Sequence, residues 1–209
     1  MPDLNPKLFN VLIDAYRPCW QMTTCKQAVW SPERGYIPRG FLGATKNLSD
    51  VKVVMVFSEP GHPHSGEEYD PNQSPERLLK SGLQHVHRSF RCGRDPFHRN
   101  VRWFLSQLFP NLDFDEQLEH AWLTEGRLCS IKEETGTTKD PRCAKHYLSQ
   151  QLKMLPKATV VGFGGKAQYY LRQAGVEHEK AYALSPPGAN HKPARPSWER
   201  AIAKVRALI

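Results

Sequence analysis

The chain has 209 residues, 39% of them hydrophobic, with 14 glycines and 17 prolines, a balance that excludes a disordered protein and describes a globular, loop-rich one. Its 29 Lys and Arg against 21 Asp and Glu give a net charge of +8, which suits a polyanionic partner. No apolar run is long enough to span a bilayer, so no membrane partner is expected.

The opening MPDLNPKLFNVLIDAY carries an acid and mixes polar with apolar residues, unlike a secretory leader. The expected compartment is cytoplasmic, where five cysteines stay reduced and serve as ligands or core residues rather than as disulfides. Leu4, Leu8, Val11, Leu12 and Ala15 recur at helical spacing, and Pro18 stops that helix. Cys19 and Cys25 follow in a turn-like segment. Residues 26–50, with Trp30, Pro32, Gly35, Pro38, Gly40 and Gly43 but no period, read as one long ordered loop.

Residues 51–57 are nearly all apolar and β-branched, the pattern of a parallel strand buried on both faces. The run ends in Ser58-Glu59-Pro60-Gly61, where Pro60 removes a backbone donor and Gly61 permits a turn. A carboxylate therefore stands at the C-terminal lip of a central strand, where open α/β sheets place ligands. The same residues also suit an ordinary strand exit with a solvated glutamate.

Helices are expected over 75–88, with Leu78, Leu79 and Leu83 on one face, and from Asp95-Pro96 to Leu108, before Pro110. A second strand covers 121–125, and a polar loop between Cys129 and Cys143 leads into an amphipathic helix over 140–155. The third strand, 158–163, is turned by Gly164-Gly165 into a helix through Leu171. A short fourth strand at 181–184 runs into SPPGANHKPARPS, and Ser197 caps a final helix over 198–209. This alternation predicts one three-layer α/β/α domain over residues 1–209, with a central four-stranded parallel sheet.

Three features carry chemistry. Cys19 with Cys25, and Cys129 with Cys143, form two loop pairs that could enclose a tetrahedral metal, or four buried small hydrophobes; Cys92 lies apart and is expected in the core. The turn VVGFGGKAQYY lacks the full dinucleotide spacing and reads as a tight strand-to-helix turn whose free N–H groups could hold one phosphate. In the last loop four prolines stiffen a segment presenting Ser185, Asn190, His191, Lys192 and Arg195, which suits insertion into a nucleic-acid groove or an ordinary surface connection.

In their order and spacing these residues resemble the uracil-DNA glycosylase superfamily, most nearly its iron–sulfur branch, over roughly residues 15–198. The matching pieces are the Cys19 and Cys25 pair, the strand exit Phe57-Ser58-Glu59-Pro60-Gly61, and Cys129 to Cys143 with the helix ending at Leu155-Pro156. They continue with Val160 to Ala167 and with Ser185-Pro186-Pro187. The chain departs from that pattern at several points. Five residues separate the first cysteines, Phe57 replaces a glycine, and Glu59 directly precedes the proline. Glu125 falls where the family reads the base with asparagine, and Ser185 falls where it has histidine, with His191 available to compensate.

The resemblance implies a monomeric base-excision-repair enzyme that hydrolyses the N-glycosidic bond of uracil or another deaminated base in single- or double-stranded DNA. It implies a structural 4Fe–4S cluster held by Cys19, Cys25, Cys129 and Cys143. In such a site Glu59 stabilises the oxocarbenium-like sugar and orients water, and His191 or Ser185 stabilises the departing base. Ser58, Pro60, Gly61, Tyr69 and Glu125 line the base pocket, with Phe90 as a rival stacking ring, and Lys166, Asn190, Lys192 and Arg195 contact DNA. Two other readings remain: a non-catalytic nucleic-acid-binding member of the same fold, and a small-molecule nucleoside-processing α/β enzyme.

Overall fold

The computed structural model describes residues 4–19, 21–22, 24–25, 27–132 and 139–208. Much of the polar loop after Cys129 (133–138), and the final residue of the expected terminal helix, therefore lie outside the described residues. The first helix, α1 (Pro6–Leu12), starts where the Asn5 side chain accepts the Lys7 N–H at 3.0 Å, and a 3₁₀ turn carries it on to Tyr16. Five strands follow through the chain: β1 (Leu42–Gly43), β2 (Val53–Phe57), β3 (Ala121–Glu125), β4 (Thr159–Phe163) and β5 (Glu179–Ala181). They form one sheet in the order β1-β3-β2-β4-β5.

β2 is the centre, paired in parallel with β3 on one side and β4 on the other, and all five of its residues are buried. Its alternate side chains serve two separate cores. Val54 and Val56 join Trp122, α1 and the helices α5 (Ser149–Lys153) and α6 (Gly165–Gln173). Val53, Met55 and Phe57 join Leu123, Val161 and Phe163 on the other face. That second core is completed by α3 (Pro96–Leu108), α4 (Phe114–His120) and α7 (Ala194–Arg206). The long helix α2 (Pro75–Cys92) contributes Leu78 and Leu79 to the first core, and Val86 and Phe90 to the second.

The sheet has five strands rather than the expected four, and it is mixed. β1 pairs antiparallel with β3 from inside the segment read as loop; two residues are too few to show a period. The last strand lies at 179–181 rather than 181–184, because it is an edge strand, paired with β4 alone, and Glu-Lys-Ala carries no apolar pattern. α4 went unpredicted although its capping box is present: the Asp113 side chain accepts from Glu116 N, and Glu116 returns to Asp113 N. Within the helix expected over 140–155, Ala144–Leu148 forms a π-helical turn that continues into α5.

α7 begins at Ala194, so Ser197 is not its cap. The Ser197 hydroxyl donates to the Ala194 carbonyl at 2.6 Å and accepts from the Tyr182 N–H at 2.9 Å, tying the helix to the chain leaving β5. No described helix is long and apolar enough to cross a membrane.

Candidate functional site

The parallel ladder between β2 and β3 continues past the strands. Phe57 lies opposite Glu125, Gly126 N–H donates to the Phe57 carbonyl at 2.9 Å, and Arg127 N–H to the Ser58 carbonyl at 3.0 Å. Extending the ladder by two rungs holds Ser58 and Glu59 against the start of the loop that leads to Cys129.

The Glu59 side chain is only 6% exposed, and its Oε1 meets Lys166 Nζ at 2.5 Å. Lys166 is the second residue of α6, delivered by the turn after β4. That turn needs glycine at Gly164, whose φ is +88°, and a Cβ there would press on Ala183. Thus the residue expected to touch DNA phosphate is engaged with the expected catalytic carboxylate.

Glu125 is buried beneath the backbone of Gly40, where a Cβ would fall 2.5 Å from its carboxylate. Burial, and then the charge of Glu59, push its carboxyl well above the usual range, while Arg39 opposes them. The Oε2 atoms of both Glu59 and Glu125 are buried without a hydrogen-bond partner among the described residues. Buried polar atoms are seldom left so, which marks this as a place where a ligand or water belongs.

Behind the two carboxylates lie Arg127 and Tyr170, both buried. Tyr170 packs on the backbone of Gly126, and its phenol is raised by burial and by the charge of Glu59. Arg127 Nη2 donates to Cys25 Sγ at 3.4 Å. Sequence reasoning overlooked Arg127; its one signal is a cation between the apolar strand β3 and Cys129, where charge is rarely buried without a counterpart.

Arg127 opens directly onto the cysteines. Cys19, Cys25, Cys129 and Cys143 line one small cavity, together with Ala15, Leu128 and Tyr147. The Leu128 N–H donates to Cys143 Sγ at 3.4 Å, and Cys19 Sγ lies 3.6 Å from the Tyr147 hydroxyl. Burial pushes the Cys143 thiol up to about 12 and raises Cys129 strongly, with the neighbouring thiols adding to it and Arg127 opposing. Cys92, expected in the core, is instead exposed at the last position of α2, apart from this group.

The loop leaving β2 folds around a third buried carboxylate, Glu67, which the sequence did not single out. It accepts from the Tyr69 hydroxyl at 2.9 Å and the His64 N–H at 3.0 Å, and faces Arg39 Nε at 3.7 Å. The Gly61 carbonyl accepts from Arg39 and from the Ser130 hydroxyl, the latter at 2.8 Å. Tyr69 is therefore a buried wall residue, its phenol raised by burial and by Glu67, rather than a ring open to a flipped base. Phe90 is buried still more completely. The half-buried ring at this end of β2 is Phe97, edge-on to Phe57 at 4.9 Å, with Phe163 on Phe57 at 5.5 Å.

The last loop is fastened at its root and open at its tip. Asn100 Nδ2 donates to the Leu184 carbonyl at 2.8 Å, and Trp198 Nε1 to the Tyr182 carbonyl at 2.9 Å. Ser185, Asn190, His191 and Lys192 are exposed, and the His191 ring lies 6.0 Å from that of Tyr182. Arg195, in the first turn of α7, stacks over Trp103 at 3.2 Å and pairs with Glu199 at 3.4 Å. Among the described residues, no hydrogen bond or ion pair joins Glu59 to this loop.

The structure thus gathers the four cysteines, and separately Glu59, Glu125 and Lys166. Ser185, Asn190, His191 and Lys192 stay together on the loop. Set beside known proteins, the chain matches no family model and no curated protein.

Proposed function

We propose that the protein is a DNA glycosylase of the uracil-DNA-glycosylase-like kind, a three-layer α/β/α domain that hydrolyses the N-glycosidic bond of uracil or another deaminated base in DNA. The observation that carries this reading is the convergence of four cysteines, distant in sequence, on one cavity that Arg127 links to the carboxylates at the β2 exit.

The donor set fits an iron–sulfur cluster. The Cys129 and Cys143 thiols, raised by burial, stay protonated unless a cation takes the proton's place, and the Arg127 and Leu128 N–H groups already point at Cys25 and Cys143 sulfurs, as donors do around such clusters. Bound there, the cluster supplies a structural tie between the N-terminal segment and the loop after β3.

In this mechanism Glu59 carries the negative charge that meets the oxocarbenium-like sugar, and its buried second oxygen orients the attacking water. Lys166 fixes the Glu59 rotamer through their contact. Glu125, protonated by its surroundings, can donate rather than repel beside the departing base. His191 or Ser185 supplies the outer donor to that base, with Phe97 the ring best placed to stack on it. Asn190, Lys192 and the stacked Arg195 grip the backbone of the DNA.

The test is release of base from oligonucleotides carrying uracil, hypoxanthine or xanthine, read as abasic sites. Activity that Glu59→Gln suppresses supports the proposal, and inertness on all three substrates rejects it. One observation favours a second reading, a non-catalytic DNA-binding protein of the same fold. Glu59 is shielded and already satisfied on one side by Lys166, so binding with a steep salt slope and no base release would select it.

A further inference from the structure

We propose that His64, Asp95 and His98 form a site for one divalent transition-metal ion, separate from the cysteine cavity, which fastens the loop leaving β2 to the start of α3. The inference does not depend on the glycosylase reading. The three side chains come from two segments far apart in sequence, yet one ligand atom from each lies within 4.8 Å of the other two. Ligands on a zinc ion at about 2.0–2.1 Å stand roughly 3.3 Å apart in a tetrahedron, so small imidazole rotations close the set. Two imidazoles and a carboxylate select zinc, cobalt or iron over magnesium and calcium, and leave one or more positions for water or a phosphate oxygen.

The site is held from behind. Asp95 caps α3: its Oδ1 accepts the His98 N–H at 3.0 Å and lies 2.9 Å from His98 Nδ1. The His98 ring is wedged by Phe90 at 4.6 Å and Phe97 at 5.4 Å, which fixes its direction. His64 is set by its own N–H donating to Glu67 Oε2 at 3.0 Å, and its ring lies 6.0 Å from both the His85 and His98 rings. His85 Nε2 in turn meets Glu67 Oε2 at 3.3 Å, so a buried carboxylate braces the loop from beneath. The nearby charges divide: Asp95 and Glu67 favour a cation, and Arg94 and Arg39 oppose it.

The experiment is calorimetric titration of the full chain, purified with whatever its cysteines hold, against Zn²⁺ and separately Mg²⁺. One Zn²⁺ per chain is expected at micromolar concentration or below, with a rise in Tm and no response to Mg²⁺. His64→Ala should weaken binding about 100-fold or more, and Asp95→Asn, which keeps a capping side chain, by at least about 10-fold. Circular dichroism of the unloaded variants checks that they fold; His64 is half-buried and Asn caps nearly as well as Asp. Zn²⁺ binding that survives both substitutions, or that Cys143→Ser abolishes while His64→Ala does not, overturns the site, as does an absence of binding to the wild-type chain.

Discussion

The cysteine cavity and the loop over 185–193 are built on opposite principles. The cavity assembles from residues as far apart as Cys19 and Cys143, walled by buried Leu128, Tyr147 and Arg127. The loop is one contiguous stretch whose polar side chains face solvent while its root is fastened through Leu184 and Tyr182. A site of the first kind exists only when the whole fold is in place, so damage there should spread. One of the second kind can be altered without cost to the fold, and damage should be confined to binding.

The largest effect should come from the cavity. If the cavity holds the proposed cluster, Cys143→Ser is expected to remove iron and sulfide and to lower Tm sharply, because metal affinity at such a site is part of folding free energy. Cys92→Ser, at an exposed position, should change neither iron content nor Tm. Equal iron content in the two variants would erase the distinction between cavity and surface. Next in size is Glu59→Gln, expected to lower base release about 10²–10⁴-fold with little loss of DNA affinity. If affinity fell in parallel with activity, Glu59 would belong to the binding surface instead.

The parallel core was legible because β2 is a wholly buried apolar run and β3 and β4 each contain a buried apolar stretch, a pattern with few alternatives. β1 and β5 were not, since a two-residue strand and a polar edge strand owe their form to their neighbours rather than to their own pattern. The same division runs through the site. The four cysteines could be grouped from residue type and order. No local signal could place Lys166 on Glu59, since that contact spans 107 residues and depends on how α6 leaves β4. Glu67 and Arg39 were hidden for a related reason: they look like solvated charges until the loop closes over them.

Beside Glu59, the buried Glu125 has a signature that pH exposes. Glu125 has a raised folded-state pKa, so in the window just above its ordinary value of 4.5 the folded chain holds a proton that the unfolded chain has released. Stability from this group therefore falls as pH climbs through that window. Glu125→Gln removes the titration while keeping the shape beneath Gly40. Its Tm should match the wild type below about pH 4 and exceed it by a few degrees near pH 8, as each kcal/mol moves Tm by about 2–4 °C in a chain of this size. A variant less stable at pH 8 would mean that the ionised carboxylate has a partner.

The smallest expected effect separates two cations on neighbouring turns. Lys192 is exposed at the loop tip, whereas the Arg195 guanidinium lies flat on Trp103 and reaches Glu199. If the loop meets DNA as proposed, Lys192→Ala should reduce the slope of log affinity against log salt by about 0.9, the release of one counterion, and leave Tm unchanged. Arg195→Ala should lower Tm slightly by stripping cover from Trp103, and should also reduce the slope only if the guanidinium leaves the indole when DNA arrives. A slope change for Arg195 but none for Lys192 would place the DNA along the face of α3 and α7, and would turn the proline loop into a spacer rather than a finger.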